Sequence, residues 1–295
     1  MCSFCMCLLL LNINKCDCFS LFMYEYIFLY ALAFFAILFA VVQDFRFREI
    51  SNWVTFSLVA FVLAYRLAYS VFIHDFSFFL FGLGGVLLFT AFGYALYYGR
   101  VFAGGDAKLL FGLGGILPYS SLLDYVSYGL GFILLLLISG VAYTLVYSVF
   151  IAFRNWSSFV NSFKINYSKN KLTFLLLVAL FFIVLLMKFW LNIVPYWFSF
   201  VFPFMFFIFI YARSLEQSCM IKLTEPEKLT EGDWLVSDIR IGKNIIRKTV
   251  HGLSYSDIIL LRKYGKKVLI KNGIPFAPAF LIALIFSFFF IDKFF

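Results

Sequence analysis

The chain has 295 residues, of which 64% are hydrophobic, 23% aromatic and only 13% charged. The charged share is about half that of a soluble domain. So few polar side chains cannot cover a soluble fold of this size, which excludes disorder, a disulfide-stapled secreted domain and an ordinary soluble enzyme. The solvent must be a bilayer. Lys and Arg number 24 against 15 Asp and Glu, a net charge of +9. In a membrane protein such an excess marks cytoplasmic loops. Nucleic-acid binding would need basic residues clustered on a folded face, and no nucleic-acid partner is expected.

Five of the six cysteines fall at the start of the chain: Cys2, Cys5, Cys7, Cys16 and Cys18. Their C-x-x-C and C-x-C spacings are separated by Met, Leu and Phe with no His, which does not suit a zinc site. Residues 1–22 are expected to be either a mis-called start ahead of Met23 or a dispensable extension. They lack the basic n-region and A-x-A site of a signal peptide. No cofactor or metal is expected anywhere in the chain.

A membrane helix needs about 20 mostly apolar residues. Eight candidates follow along the chain: 24–42, 53–73, 78–98, 109–123, 126–153, 173–190, 196–211 and 277–291. The fourth is short and Gly-rich, and Gly112, Gly114 and Gly115 would let another helix approach closely. If the turn at 44–52 is inside, the inside segments 44–52, 99–108, 154–171 and 212–276 hold 20 of the 24 basic residues. This places both termini outside, has the fourth segment cross rather than turn back, and puts the long polar segment in the cytoplasm.

Residues 212–276 read as a small cytoplasmic α+β module. Pro226 and Glu231-Gly232 mark turns. Residues 234–239 and 266–271 read as strands, with 244–250 a weaker third. Ser254 caps a helix over 255–263 with Asp257 at N3, and Gly265 ends it. A unit of about 60 residues needs outside support, which the flanking membrane helices can give. Its basic surface suits either anionic lipid headgroups or a solvated loop of the positive-inside kind. The expected class is an all-α polytopic membrane protein of six to eight transmembrane helices carrying this module. Its parts are the 1–22 extension, a 23–211 membrane core, the 212–276 module and a final helix over 277–295.

Acidic groups near hydrocarbon are costly, so each calls for an explanation. Between residues 26 and 215 there are five: Asp44, Glu49, Asp75, Asp106 and Asp124. Asp75 and Asp124 fall in outside loops. Glu49 follows Arg46 and Arg48 in a short inside turn, where an exposed ion pair is the plain reading. Asp44 follows the apolar run ending at Gln43, and Asp106 precedes the fourth helix, so both lie at one membrane boundary. Either alone is compatible with a cap or an interfacial ion pair. Together they suit acid–base chemistry on a peptide bond. Two close carboxylates share a proton, one activating water and the other protonating the carbonyl or leaving amine. The two histidines, His74 and His251, fall on opposite sides, and no nucleotide-binding loop is present.

The residues then resemble a family. Asp44, Arg46, Arg48, Ile50 and Asn52 are similar to the first signature of type IV prepilin peptidases, an Asp followed by basic residues, an Ile and an Asn. Gly104, Gly105, Asp106, Ala107 and Lys108 resemble the second, the G-x-G-D motif of membrane aspartyl proteases. Its first Gly is Ala103 here. The run 273–278, with Pro275 and Pro278, is similar to a proline-containing motif late in such enzymes. The short chain and the lack of a cytoplasmic cysteine cluster resemble the archaeal branch, the preflagellin (prearchaellin) peptidases. The resemblance implies a multi-pass enzyme of the cell membrane. It would cut short basic leaders from archaellin and pilin precursors at the cytoplasmic face, with Asp44 and Asp106 catalytic and Gly104, Gly105, Lys108, Arg48 and Asn52 in support. It also implies about six spans. A transporter using the acidic pair, or a pilus or secretion scaffold, remains the alternative.

Overall fold

The computed structural model describes residues 15–99, 101–191, 195–241, 244–249 and 252–294, with side chains omitted at 15–24, 191, 244 and 290–294. Cys2, Cys5 and Cys7, the side chains of Cys16 and Cys18, and His251 lie outside the described residues. The chain forms two compact units, Met1–Thr144 with Pro275–Phe295, and Leu145–Ile274.

The first unit is helical. Its helices are α1 (Lys15–Phe47), α2 (Asn52–Phe72), α3 (Ser77–Tyr98) and α4 (Gly104–Gly114), followed by the start of α5 (Leu122–Arg154) and by α10 (Ala277–Phe294). A first turn, Leu122–Asp124, and a π-helical stretch, Tyr125–Leu130, open α5. The buried core is drawn from all of them, including Leu29, Ile37, Leu58, Phe89, Leu110 and Phe280. Burying such side chains against each other rather than lipid brings little hydrophobic gain, so close packing has to hold the helices together. Glycines supply it. A Cβ on Gly114 would run into the carbonyl oxygen of Gly85 and stand 2.5 Å from Phe89 Cβ, while one on Gly112 would stand 2.7 Å from Leu58. The glycines of the fourth segment therefore do what their spacing suggested.

Six helices among the described residues are long and apolar enough to cross a membrane, against the eight candidates in the sequence. One difference is the segment at 109–123. Its helix is α4, which starts at Gly104, five residues earlier than expected, and has only 11 residues. A helix that short rises about 16 Å, half the hydrocarbon thickness. It stops because Gly114 and Gly115 are followed by Pro118, which cannot continue the ladder. The chain does not turn back, however. Gly115 and Leu117 meet Arg66 of α2 beside Phe78, the second residue of α3. The Tyr119 ring packs on Tyr125, whose hydroxyl donates to the Phe81 carbonyl at 2.7 Å. The fourth segment thus runs from one end of the bundle to the other, the second half of the way without a helix. The other difference is the last helix, where the described apolar stretch, Ala277–Phe289, is shorter than the six.

The second unit takes over within α5 and continues with α6 (Trp156–Lys169), α7 (Lys171–Leu191) and α8 (Tyr196–Met220). Buried Asn166 of α6 donates to Ser214 Oγ at 3.1 Å and to Gln217 Oε1 at 2.9 Å on α8. The polar module follows: β1 (Ile221–Thr224), β2 (Trp234–Leu235), β3 (Ile239–Ile241), β4 (Asn244–Ile246), α9 (Tyr255–Lys263) and β5 (Val268–Lys271). The antiparallel order β1-β5-β2 pairs Thr224 with Val268 and Leu235 with Ile270, and β3 pairs with β4 in a separate hairpin. Residues 234–239 hold two short strands rather than one, and β1 carried too weak an alternation to be read. Leu235, Ile241, Ile246, Ile258, Leu261, Val268 and Ile270 form the module's core. α9 starts where the sequence placed it. Ser254 and Asp257 form a reciprocal capping box, and Gly265 takes φ 59° just beyond its end. Replacing Ser254 with Ala should therefore cost the module about 1 kcal/mol. Faster hydrogen exchange over 254–263 in the intact protein would register it, and unchanged exchange would mean the cap is not used.

Candidate active site

Asp44 lies in the last turns of α1. The N–H of Arg48 closes back on the Asp44 carbonyl at 3.0 Å, and Arg48 itself takes φ 61°, a left-handed conformation that ends the helix. In the turn that follows, the Ser51 N–H donates to Gln43 Oε1 at 3.1 Å. That turn delivers Asn52 as the first residue of α2. Asp106 is the third residue of α4, in its first turn. Residue 103, the N-cap, has no capping side chain, and a hydrogen bond at the Ala103 backbone goes to the Asp106 carboxyl instead. Asp106 thus fills part of the capping role that its position suggested.

The two carboxylates are each only 8% exposed. They are close enough for the negative charge of Asp44 to act on Asp106, and the positive charge of Arg48 acts on Asp44. Asp44 has a further partner far away in sequence. Its Oδ2 accepts the backbone N–H of Ala277 at 2.9 Å. Ala277 is the first residue of α10, so this N–H has no partner within its own helix. The partial positive charge of a helix N-terminus also favours an anion there.

The remaining motif residues tie the two aspartate segments together. Lys108 Nζ donates to Asn52 Oδ1 at 2.7 Å across the surface. A Cβ on Gly105 would stand 3.1 Å from Ile50 Cβ, so a glycine lets the first turn of α4 lie on the turn between α1 and α2. Gly104 is more open, its nearest neighbour being Tyr97 Cε2 at 3.6 Å. Phe102 packs against Phe276 and Phe280, ring centroids 5.3 and 5.9 Å away. Three stretches, 44–52, 102–108 and 276–280, therefore converge on one buried pair of acids.

The other acids do not join them. Asp75 accepts the N–H of Ser77 at 2.9 Å, and Asp124 accepts those of Ser120 and Ser121 at 2.8 and 2.7 Å. Both are local caps. Among the described residues no group of three or more His, Cys, Asp or Glu is placed to hold a metal ion. The contribution of the Ala277 amide could not be read from the sequence, since a backbone group leaves no trace in residue type. Its neighbourhood was marked by the proline-containing run at 273–278.

No curated protein and no solved structure matches the chain. A family model does match residues 28–153, described as the type IV leader peptidase family. The match runs from the first turns of α1 described in full to the end of α5, and contains both buried aspartates. Residues 28–153 are thus similar to the type IV leader peptidase family, and the six long apolar helices are those of a multi-pass membrane protein.

Proposed function

We propose that the protein is an aspartyl endopeptidase that removes short basic leaders from archaellin- or pilin-like precursors at the cytoplasmic face of the cell membrane. The buried Asp44–Asp106 pair carries this proposal. Two buried acids that feel each other's charge do not both ionise readily. The shared charge is better held on Asp44, which accepts the Ala277 N–H and faces Arg48. The shared proton then sits on Asp106. A water between them gives a proton to Asp44 as its oxygen attacks the scissile carbonyl, and Asp106 protonates the carbonyl oxygen. The tetrahedral gem-diol collapses as the C–N bond breaks. Asp44 passes its proton to the leaving amine, and a diol proton returns to Asp106. Peptide and water become acid and amine, and both aspartates return to their starting state.

Substrate choice follows from where the pair sits. A pilin-like precursor has basic residues before the cut and an apolar helix after it. Phe39, Phe45 and Phe47 of α1 and Trp53 and Phe56 of α2 are exposed around the Asp44 end of the bundle. They offer that helix an aromatic seat within the bilayer. Anchoring both partners in one plane supplies much of the positioning that catalysis needs. The cytoplasmic assignment rests on the basic residues at 44–52, 99–108, 154–171 and 212–276. A carrier would keep its acids near the midplane, whereas Asp44 and Asp106 lie at helix ends. The module's acids are weaker candidates for recruiting the leader. Lys267 and then Lys228 pair with Glu225 and hold its carboxyl below the usual range, and Asp233 is occupied by the Thr230 N–H at 2.9 Å.

Co-expression with a precursor bearing a basic leader tests the proposal. A band shortened by the leader is expected, and an unprocessed precursor beside well-inserted protein would refute it. The role of the α10 amide has its own test. Proline is tolerated at the first position of a helix, so Ala277→Pro removes the N–H to Asp44 while keeping the helix start. A loss in kcat of about 10-fold is expected, matching one charge-assisted hydrogen bond of about 1.5–3 kcal/mol at its lower end. Wild-type kcat in this variant would remove the amide from the mechanism.

A further inference from the structure

Arg66 lies in the second half of α2, 0% exposed. A charged side chain inside a membrane bundle is rare and costly, and is kept where it has a task. Three of its guanidinium N–H groups are spent on backbone carbonyls. Nε donates to Gly115 at 2.6 Å, Nη1 to Phe78 at 2.8 Å and Nη2 to Leu117 at 2.7 Å. Its remaining surface lies over Phe78 and Tyr26, with ring centroids 4.6 and 5.6 Å from Cζ. Gly82 of α3 gives it room, since a Cβ there would collide with Arg66 Cδ.

Two of these carbonyls belong to the place where α4 breaks. The last carbonyls of a helix have no partner within it, and in a membrane bundle there is no water to take them. A planar guanidinium with several N–H groups in fixed directions suits this task, and a Lys ammonium does not. α4 is a short rod with Asp106 in its first turn and the Arg66 clamp just past its last. At the Asp106 end the rod is tied through Lys108 to Asn52 of α2. At the other end it is tied through Arg66, again of α2. Both ties refer α4 to the same helix, and α2 follows α1 directly after the Asp44 turn. The axial position of Asp106 relative to Asp44 is therefore set from both ends of α4.

We propose that Arg66 is a positioning residue for proteolysis, setting the height of Asp106 against Asp44 through the broken end of α4. This rests on the aspartyl peptidase reading above. A displacement of about 1 Å at a catalytic group can cost about 100-fold in rate, so Arg66 can matter greatly without touching substrate. The two functions of a fixed residue, holding the fold and holding the geometry, separate in the kinetics.

The test compares Arg66→Lys with Gly82→Ala in the full chain, reconstituted in lipid with a basic-leader precursor peptide. Gly82→Ala keeps the guanidinium but displaces it from its seat, so it serves where Arg66→Lys inserts poorly. The expected result is a 10- to 100-fold loss of kcat per inserted molecule, with KM within about two-fold of wild type. A role confined to folding would lower the amount of inserted protein and leave kcat per inserted molecule unchanged. Wild-type kcat in both variants, in a preparation where cleavage depends on both aspartates, overturns the positioning role alone. Cleavage that does not depend on the aspartates overturns the peptidase reading instead.

Discussion

Asp44→Asn and Asp106→Asn are each expected to abolish precursor processing, by about 10³-fold or more, while the protein inserts at wild-type levels. The size follows from the chemistry. General acid–base catalysis contributes about 10²–10⁴-fold for a positioned group, and neither half of a shared-proton pair works without the other. Asn is nearly isosteric and keeps hydrogen-bonding capacity, so the α10 amide and the Ala103 backbone can still be engaged. It cannot take a proton from water at position 44 or release one at position 106. Processing and insertion are read from the same membranes by immunoblot of precursor and enzyme. Substantial processing in either variant would show that the pair does not act as proposed.

A second large effect is expected from Gly114→Val. A Cβ at this position would already meet the Gly85 carbonyl and stand 2.5 Å from Phe89 Cβ, and valine adds two methyls. Overpacking a tight site costs about 1–3 kcal/mol and sometimes more. Here the obstacle is backbone, which cannot rotate away. α3 and α4 must separate, and Asp106 rides on α4. Loss of most folded protein is expected by detergent-resistant thermal unfolding, together with loss of processing in what remains. Gly104→Ala is the contrasting control. Its new Cβ would meet only Tyr97 Cε2 at 3.6 Å, so near-wild-type stability is expected. Similar melting of the Gly114→Val variant and wild type would mean that α3 and α4 are less tightly packed than the glycines indicate.

Much of this site was legible because membranes make acids conspicuous. Asp44 and Asp106 stood out among five acids between residues 26 and 215, and their neighbours Arg48, Asn52, Gly104, Gly105 and Lys108 gave them a family resemblance. The Lys108–Asn52 contact joins the two signatures in space, which spacing alone could not reveal. The length of α4 was misread for a physical reason. Apolar composition continues past Gly114, but Pro118 stops the ladder and Arg66 donates N–H groups to the Gly115 and Leu117 carbonyls in place of the next turn. Arg66 itself was in plain view inside a span at 53–73. The cost that singles out buried acids applies equally to buried cations, so an Arg inside an apolar span is conspicuous on the same ground. β1 was missed because four residues with a buried-side pattern of intermediate exposure hold too little alternation to register.

The most direct measurement is cleavage of a synthetic precursor, with a basic leader and an apolar helix, by the purified protein in lipid nanodiscs and H2¹⁸O, followed by mass spectrometry. A single cut ahead of the apolar helix is expected, with one ¹⁸O in the new carboxyl group of the leader and no product from Asp44→Asn or Asp106→Asn. Cleavage at the same bond by either variant, or no cleavage by well-folded wild-type protein, would contradict an aspartyl leader peptidase built on this pair.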